Sequence, residues 1–343
     1  MSIFDFLFEK KGCSAKQHIL EPPSLPKQTA PVNWRVSDAH LFLLSRFRHG
    51  QDPVNIAPPP HWEGMWQKAL NEAPQQVIER FITEGILVPV TLAGKLNSVF
   101  KATEIKEFLR AQGLPVSGRK DEGIERLVKA NSQEMATKVA HLNVYECSPE
   151  VRTMVDSFIR TQEEAHRAAE KLSLEQLRAK DFGGASLTVS QFEAGKVFPR
   201  GIDSRSIAEN LKLFVTYRPK ILNGLAENEW EPLGIATAMM LLWGTNKASQ
   251  WLPEGFVGLS KFDNDTSARL MFFHWRHQSD MMHYRKDINW NIKHVQIIGG
   301  NNSCLACEKI RGGIYTFDKA PELPYEQCTH EKGCGCQAVP IRV

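Results

Sequence analysis

Five of the seven cysteines fall between Cys304 and Cys336, and no other feature limits the fold of this chain as tightly. The stretch SCLACEKIRGGIYTFDKAPELPYEQCTHEKGCGC supplies Cys304 and Cys307 as a C-x2-C pair, then Cys328, His330, Cys334 and Cys336 some twenty residues later. A tetrahedral zinc ion takes four thiolate or imidazole ligands; a C-x2-C knuckle provides two, and a distant second group closes the loop. Six candidates exceed four places. The expected set is Cys304, Cys307 and Cys328 with Cys334 or Cys336, and His330 is a rival for the fourth position. Four protein ligands leave no open position for a substrate, so one Zn2+ in a structural role is expected. A disulfide frame is the alternative, disfavoured in a reducing compartment.

The remaining sequence reads as helical. At 343 residues the chain is too long for one ordinary core and predicts two or three compact units. Residues 1–33 read as an N-terminal segment and linker, because EPPSLPKQTAP is too rich in proline and polar residues to bury surface. Residues 34–95 form a small helical unit. There Ser37 is placed to cap a helix carrying Leu41, Leu44 and Phe47, and Val77, Ile78, Phe81 and Ile82 form one stripe behind Pro74 at a first turn.

Residues 149–298 form a helical body. Its first helix, 149–180, points Val151, Met154, Val155, Phe158 and Ile159 inward. Gly183-Gly184 reads as a break before helical blocks at about 204–225 and 233–251, the second apolar almost all round. A further helix, TSARLMFFHWRHQSDMMHYRK, leads to HVQIIGG, the one clear strand, and residues 299–343 are the cysteine-rich tail. The fold class expected is mainly α: a multi-unit helical protein with a small helix-extended-helix hairpin and a zinc-knuckle-like tail with a short strand.

That hairpin lies at residues 96–135. Thr103 can cap a helix with Ile105, Phe108 and Leu109 on one face, and Gly113 sits where a left-handed C-terminal residue belongs. Residues 115–118 make an extended loop, after which Ile124, Leu127 and Val128 turn inward. The stretches IKEFL, GL, GRK and GIERL resemble the SAP motif, the helix-extended-helix DNA-binding module, over about thirty-five residues. Gly123 departs from the pattern, standing where that family usually has Leu, and a mid-helix glycine costs roughly 1 kcal/mol relative to Ala.

The resemblance implies contact with the DNA backbone through Ser117, Gly118, Arg119 and Lys120, with Arg126 and Lys129 further along. Backbone N–H groups at a helix start and flexible cations hold phosphate without reading bases. Seven basic against five acidic residues from Lys101 to Lys129 predict modest, salt-sensitive affinity with weak sequence preference. The other reading of the same residues is a hairpin used for packing or protein contact.

The tail is also loosely similar to the C-terminal segment of phage head-morphogenesis proteins of the Mu F-like type. Cys307, Gly313-Ile314-Tyr315, Asp318, Pro321, Pro324 and Cys334-Gly335-Cys336 follow that family's order. The likeness hints at prophage or mobile-element ancestry; without the family's usual Arg in the closing C-x-C, no capsid role carries over.

Charge is nearly balanced, 42 Lys and Arg against 39 Asp and Glu, so any polyanion site must be local. The longest clean apolar stretch, 233–243, has eleven residues and cannot span hydrocarbon. A cytoplasmic protein without membrane contact, nucleoid-associated where it binds DNA, is therefore expected. In FFHWRHQSDMMHY, His277, Asp280 and His283 share one helical face, which could serve a metal-dependent nuclease. The plainer reading is a polar flank beside an apolar stripe. Most of the eight tryptophans read as core, and no phosphate loop or nucleophile elbow is present. The functional expectation is a DNA-binding protein of bacterial or phage type with a structural zinc; a nuclease is the first alternative and a phage structural protein the second. A protein partner on the helical body fits either way.

Overall fold

A computed structural model describes residues 32–56, 61–245, 247–286, 292–300 and 303–341. Among them are twelve α-helices and five short strands, so the fold is mainly α as its periodicity predicts. Contacts divide the chain into two compact units. One holds the described residues up to Ala165 together with Gly195–Pro199; the other holds His166–Ala194 and the described residues from Arg200 onward.

In the first unit, α1 (Asp38–Ser45), α2 (His61–Leu70) and α3 (Pro74–Thr83) close on Leu43, Leu44, Phe47, Trp66, Val77, Ile78 and Phe81, all nearly inaccessible to solvent. Pro74 stands in the first turn of α3 as expected. Ser37 is the N-cap residue of α1, but its hydroxyl makes no capping bond; it pairs instead with His40 Nδ1 at 2.8 Å. A buried imidazole outcompetes the backbone for that oxygen.

Strands β1 (Leu87–Pro89) and β2 (Tyr145–Cys147) pair antiparallel, with Val88 opposite Glu146. Between them the chain builds a separate small core from α4 (Leu92–Val99), α5 (Ala102–Ala111) and α6 (Lys120–Lys138). Leu96, Ile105, Leu109, Ile124, Leu127 and Met135 fill it. Helix α6 breaks at Asn131 (φ −151°, ψ 70°), whose Oδ1 accepts the Glu134 N–H at 3.1 Å and so caps the second segment. Helix α7 (Pro149–Arg178) gives Val151 and Val155 to the unit's larger core.

The second unit packs α8 (Phe182–Ala194), α9 (Ser204–Thr216), α10 (Trp230–Trp243) and α11 (Asn264–Lys286) around Leu211, Phe214, Leu233, Met239, Leu270 and Phe272. Gly183-Gly184, expected as a break, lies inside the first turn of α8. Asp181 Oδ1 accepts the Gly184 N–H at 2.8 Å, and a Cβ at Gly184 would come within 2.2 Å of that carboxylate. Helix α10 is buried all round as its composition predicts, and Gly234 lets it touch α9: a Cβ there would sit 2.5 Å from the Phe214 carbonyl oxygen.

The helical blocks of this unit end sooner than expected. Helix α10 stops at Gly244, left-handed at φ 65°, and α9 stops three residues before Pro219, which cannot donate the helical hydrogen bond.

The single expected strand becomes three. β3 (His294–Ile298) lies between β4 (Ile314–Thr316) and β5 (Gln337–Ile341), antiparallel to both. Val295 and Ile297 from this sheet pack with Met281 of α11, Ile310 and Leu323. No helix among the described residues is long and apolar enough to cross a membrane.

Candidate metal site and basic hairpin

Two loops bring the cysteines together. The short helix α12 (Leu305–Glu308) is flanked by Cys304 and carries Cys307, and the returning segment before β5 carries Cys328, Cys334 and Cys336. The sulfurs of Cys304, Cys307 and Cys328 lie within 4.8 Å of one another, as do those of Cys307, Cys334 and Cys336. Such a cluster can hold a metal ion. Cys304 and Cys328 are 3.8 Å apart at sulfur, and so are Cys307 and Cys334, nearly twice a disulfide bond length. His330 lies in neither group; its Nδ1 accepts the Lys332 N–H at 3.1 Å within its own turn.

Backbone N–H groups reach two of these sulfurs. Thr329 N–H points at Cys304 Sγ (3.4 Å) and Tyr325 N–H at Cys334 Sγ (3.3 Å), the outer-shell bonds that orient metal ligands. Burial pushes the Cys304 thiol up, but hydrogen bonds from Thr329 and Cys307 outweigh it and hold it down to about 6. Cys307 is raised by burial and by Cys334, and Cys328 by its hydrogen bond with Cys334 and then by burial. Crowded thiols resist ionising together, and a central cation reverses that resistance.

The loop is also bolted to the helical core. Lys261 Nζ donates to the Cys328 carbonyl at 2.5 Å, and Arg269 Nη2 to that of Lys332 at 2.5 Å. Gly333 (φ 77°) packs so closely on Leu270 that a Cβ would come within 2.9 Å. None of these supports carries a sequence signature, because each acts on a backbone group or through a close approach.

The hairpin has the expected helix-extended-helix form. Helix α5 ends with Gly113 left-handed at φ 66°, while Leu114 N–H reaches the Leu109 carbonyl (2.8 Å) and Gly113 N–H that of Arg110 (3.0 Å), a Schellman ending. The cap at the start of α5 is not Thr103: Glu104 reaches back to the Lys101 N–H at 2.6 Å. Glu122 repeats the arrangement at α6, accepting the Arg119 N–H at 3.2 Å. Gly123 is buried where α5 and α6 touch, and a Cβ would sit 3.1 Å from Leu109 and 3.2 Å from Ile105.

The six hairpin positions divide by role. Arg126 is committed to the fold: its guanidinium donates to the carbonyls of Pro115 and Ser117, and Nε donates to that of Glu122 at 3.1 Å. Lys120 Nζ holds the Asn97 carbonyl at 2.6 Å. Arg119, with 79% of its side chain exposed, has an exposed partner, Asp121, at 3.2 Å. Ser117, Gly118 and Lys129 are exposed, and Gly118 is left-handed at φ 99°.

The face of α11 singled out for its histidines assembles no comparable site. His274 is buried with Nδ1 at 3.2 Å from the Leu323 carbonyl oxygen, and Asp280 pairs with Arg276 at 3.7 Å. Burial, then the charges of His274 and Arg285, push His277 down to about 4. Among the described residues only cysteines form groups able to hold a metal. The chain matches no family model, no curated protein and no solved structure.

Proposed function

We propose that this chain is a DNA-binding protein of bacterial or mobile-element type, which grips phosphate through residues 113–129 and stabilises its C-terminal tail with one structural zinc. One observation carries the reading: the extended loop between α5 and α6 presents Arg119 to solvent beside the exposed residues Ser117 and Gly118. The Arg119–Asp121 pair is exposed on both sides, and such pairs are worth little, so a phosphate can displace the carboxylate. Arg126 belongs to this mechanism as a positioning residue that keeps the loop extended. With so few free cations, binding is modest and sequence-tolerant.

Zinc suits the tail because a tetrahedron with Zn–S of about 2.3 Å has edges of about 3.8 Å, the separation of the two sulfur pairs. Bound there, the ion supplies cross-linking and no open coordination position. The reading places the protein with DNA in a reducing cytoplasm. The nuclease alternative draws no support from the His277 face, where His274 and Asp280 are engaged within the fold.

Fluorescence anisotropy with labelled duplex and single-stranded DNA across a salt series tests the proposal. The wild type binds at low salt, and Arg119→Ala/Lys129→Ala weakens binding and lowers the salt slope by about 2 with an unchanged melting temperature. Absence of binding by the wild type at low salt sinks the DNA reading. Metal content by elemental analysis tests the zinc separately.

A further inference from the structure

Five thiols meet where a tetrahedral ion takes four, so one is left over. Sulfur separations and burial together select a set of four. Cys304–Cys328 and Cys307–Cys334 are two disjoint pairs at 3.8 Å, and Cys304, Cys307 and Cys328 lie together within 4.8 Å; adding Cys334, buried where Cys336 is only half-buried, makes a set of four. Cys336 belongs to neither pair, yet its sulfur lies within 4.8 Å of both Cys307 and Cys334. The Thr329 and Tyr325 N–H bonds follow the same division, falling on Cys304 and Cys334. On that assignment Cys336 stands beside two of the four thiols, within reach of a partner for disulfide formation.

We propose that Cys336 is a peroxide-responsive thiol that ejects the zinc, an inference that rests on the zinc reading above. Cys336 sulfur attacks the O–O bond of hydrogen peroxide; an S–O bond forms, the O–O bond breaks, and one water leaves. The thiolate of Cys307 or Cys334 then attacks the resulting sulfenic sulfur, an S–S bond forms, and with one proton the second water leaves. Two thiols have lost two electrons, peroxide has been reduced to two waters, and the ion has lost a ligand.

Release has a structural consequence beyond the tail. Cys307, Cys328 and Cys334 belong to the same buried cluster as Leu270 and Phe272 of α11, and the loop between Cys328 and Gly333 is tied to that helix through Arg269 and to the segment before it through Lys261. Losing the ion loosens these ties and exposes apolar surface. The chemical class the site takes is therefore a small peroxide, and its readout is the packing of the tail on α11.

The test uses the zinc-loaded full chain titrated with hydrogen peroxide, following zinc with a chromogenic chelator and disulfides by peptide mass mapping. The wild type is expected to release its zinc and to yield a disulfide joining Cys336 to Cys307 or Cys334, both reversed by dithiothreitol with added zinc. Cys336→Ser is expected to keep the wild-type zinc content and the four-thiolate spectrum of its cobalt form, and to release zinc about tenfold more slowly. Equal release rates overturn the proposal. So does a metal-poor Cys336→Ser or one with an altered cobalt spectrum, since Cys336 is then a ligand. If that variant does not fold, the wild-type map decides, and disulfides that exclude Cys336 overturn the switch. A wild type that neither carries nor takes up zinc overturns the zinc reading itself, an outcome distinct from the others.

Discussion

The hairpin of α4 to α6 and the cysteine tail are both small, and they solve the problem of being small in opposite ways. The hairpin closes on its own apolar seam, with Leu96, Ile105, Leu109, Ile124 and Leu127 almost fully buried and charge left for the outside. The tail has three strands of three to five residues and a short α12, too little regular structure to bury a core alone. It leans on α11 and on its thiols. A hairpin of this kind is expected to survive surface changes and to fail at its seam, whereas the tail is expected to fail wherever one of its clustered thiols is lost.

Removing a clustered thiol from the tail is the harshest test of that contrast. Cys307→Ser, or a strong chelator on the wild type, is expected to lower the melting temperature of the second unit by about 10 °C, given that each kcal/mol shifts a unit of this size by roughly 2–4 °C. The hairpin should be untouched. Calorimetry with hydrogen exchange on residues 92–139 checks both halves, and equal loss in both regions would erase the distinction.

Next in size is the hairpin's seam. Ala normally improves a helix interior over Gly by about 1 kcal/mol, but a Cβ at Gly123 crowds buried Leu109 and Ile105. Gly123→Ala is therefore expected to destabilise by about 1 kcal/mol, the low end of overpacking costs, and Gly123→Leu by more; urea denaturation reads both. A stabilised Gly123→Ala would mean that the seam yields and the glycine was never required. The resemblance to the SAP pattern made this glycine look like a weakness, and the packing makes it the contact point of the two helices.

Arg126 and Arg119 sharpen the division inside the hairpin. Arg126→Ala leaves the carbonyls of Pro115, Ser117 and Glu122 without that donor and is expected to cost about 1–2 kcal/mol, with faster hydrogen exchange across the loop. Arg119→Ala, which loses only an exposed pair, is expected to stay within about 0.5 kcal/mol in the same denaturation series.

A last test is one of pH, on the helix that supports the tail. His277 is held near 4 in the folded chain, against an ordinary 6.5. Between those values the unfolded chain binds more protons, so stability is complete above about pH 6.5 and declines as pH falls toward 4. His277→Gln should flatten that part of a melting-temperature profile. An unchanged slope would assign the acid sensitivity to other groups.

Local rules made much of this molecule readable before folding was considered. The 3.6-residue repeat placed Val77, Ile78 and Phe81 on one face and Ile105 with Leu109 on another, because a helix face is defined by neighbours three and four residues away. Gly113 was legible for the same reason: a left-handed ending is a property of one residue and its two flanks. The thiol cluster was legible as spacing, though the spacing could not choose among six candidates.

Tertiary structure decided what depended on distant groups. The pairing of β1 with β2 joins three-residue strands with no alternation of their own, so only the ladder between them defines them as strands. Ser37 turned to His40, Gly183-Gly184 became a helix start through Asp181, and Arg126 was drawn inward by loop carbonyls. Which sulfurs pair at 3.8 Å was set by the loop that Lys261 and Arg269 fasten down. A residue's type limits the bonds it can make, but only the folded chain determines which partners come within reach.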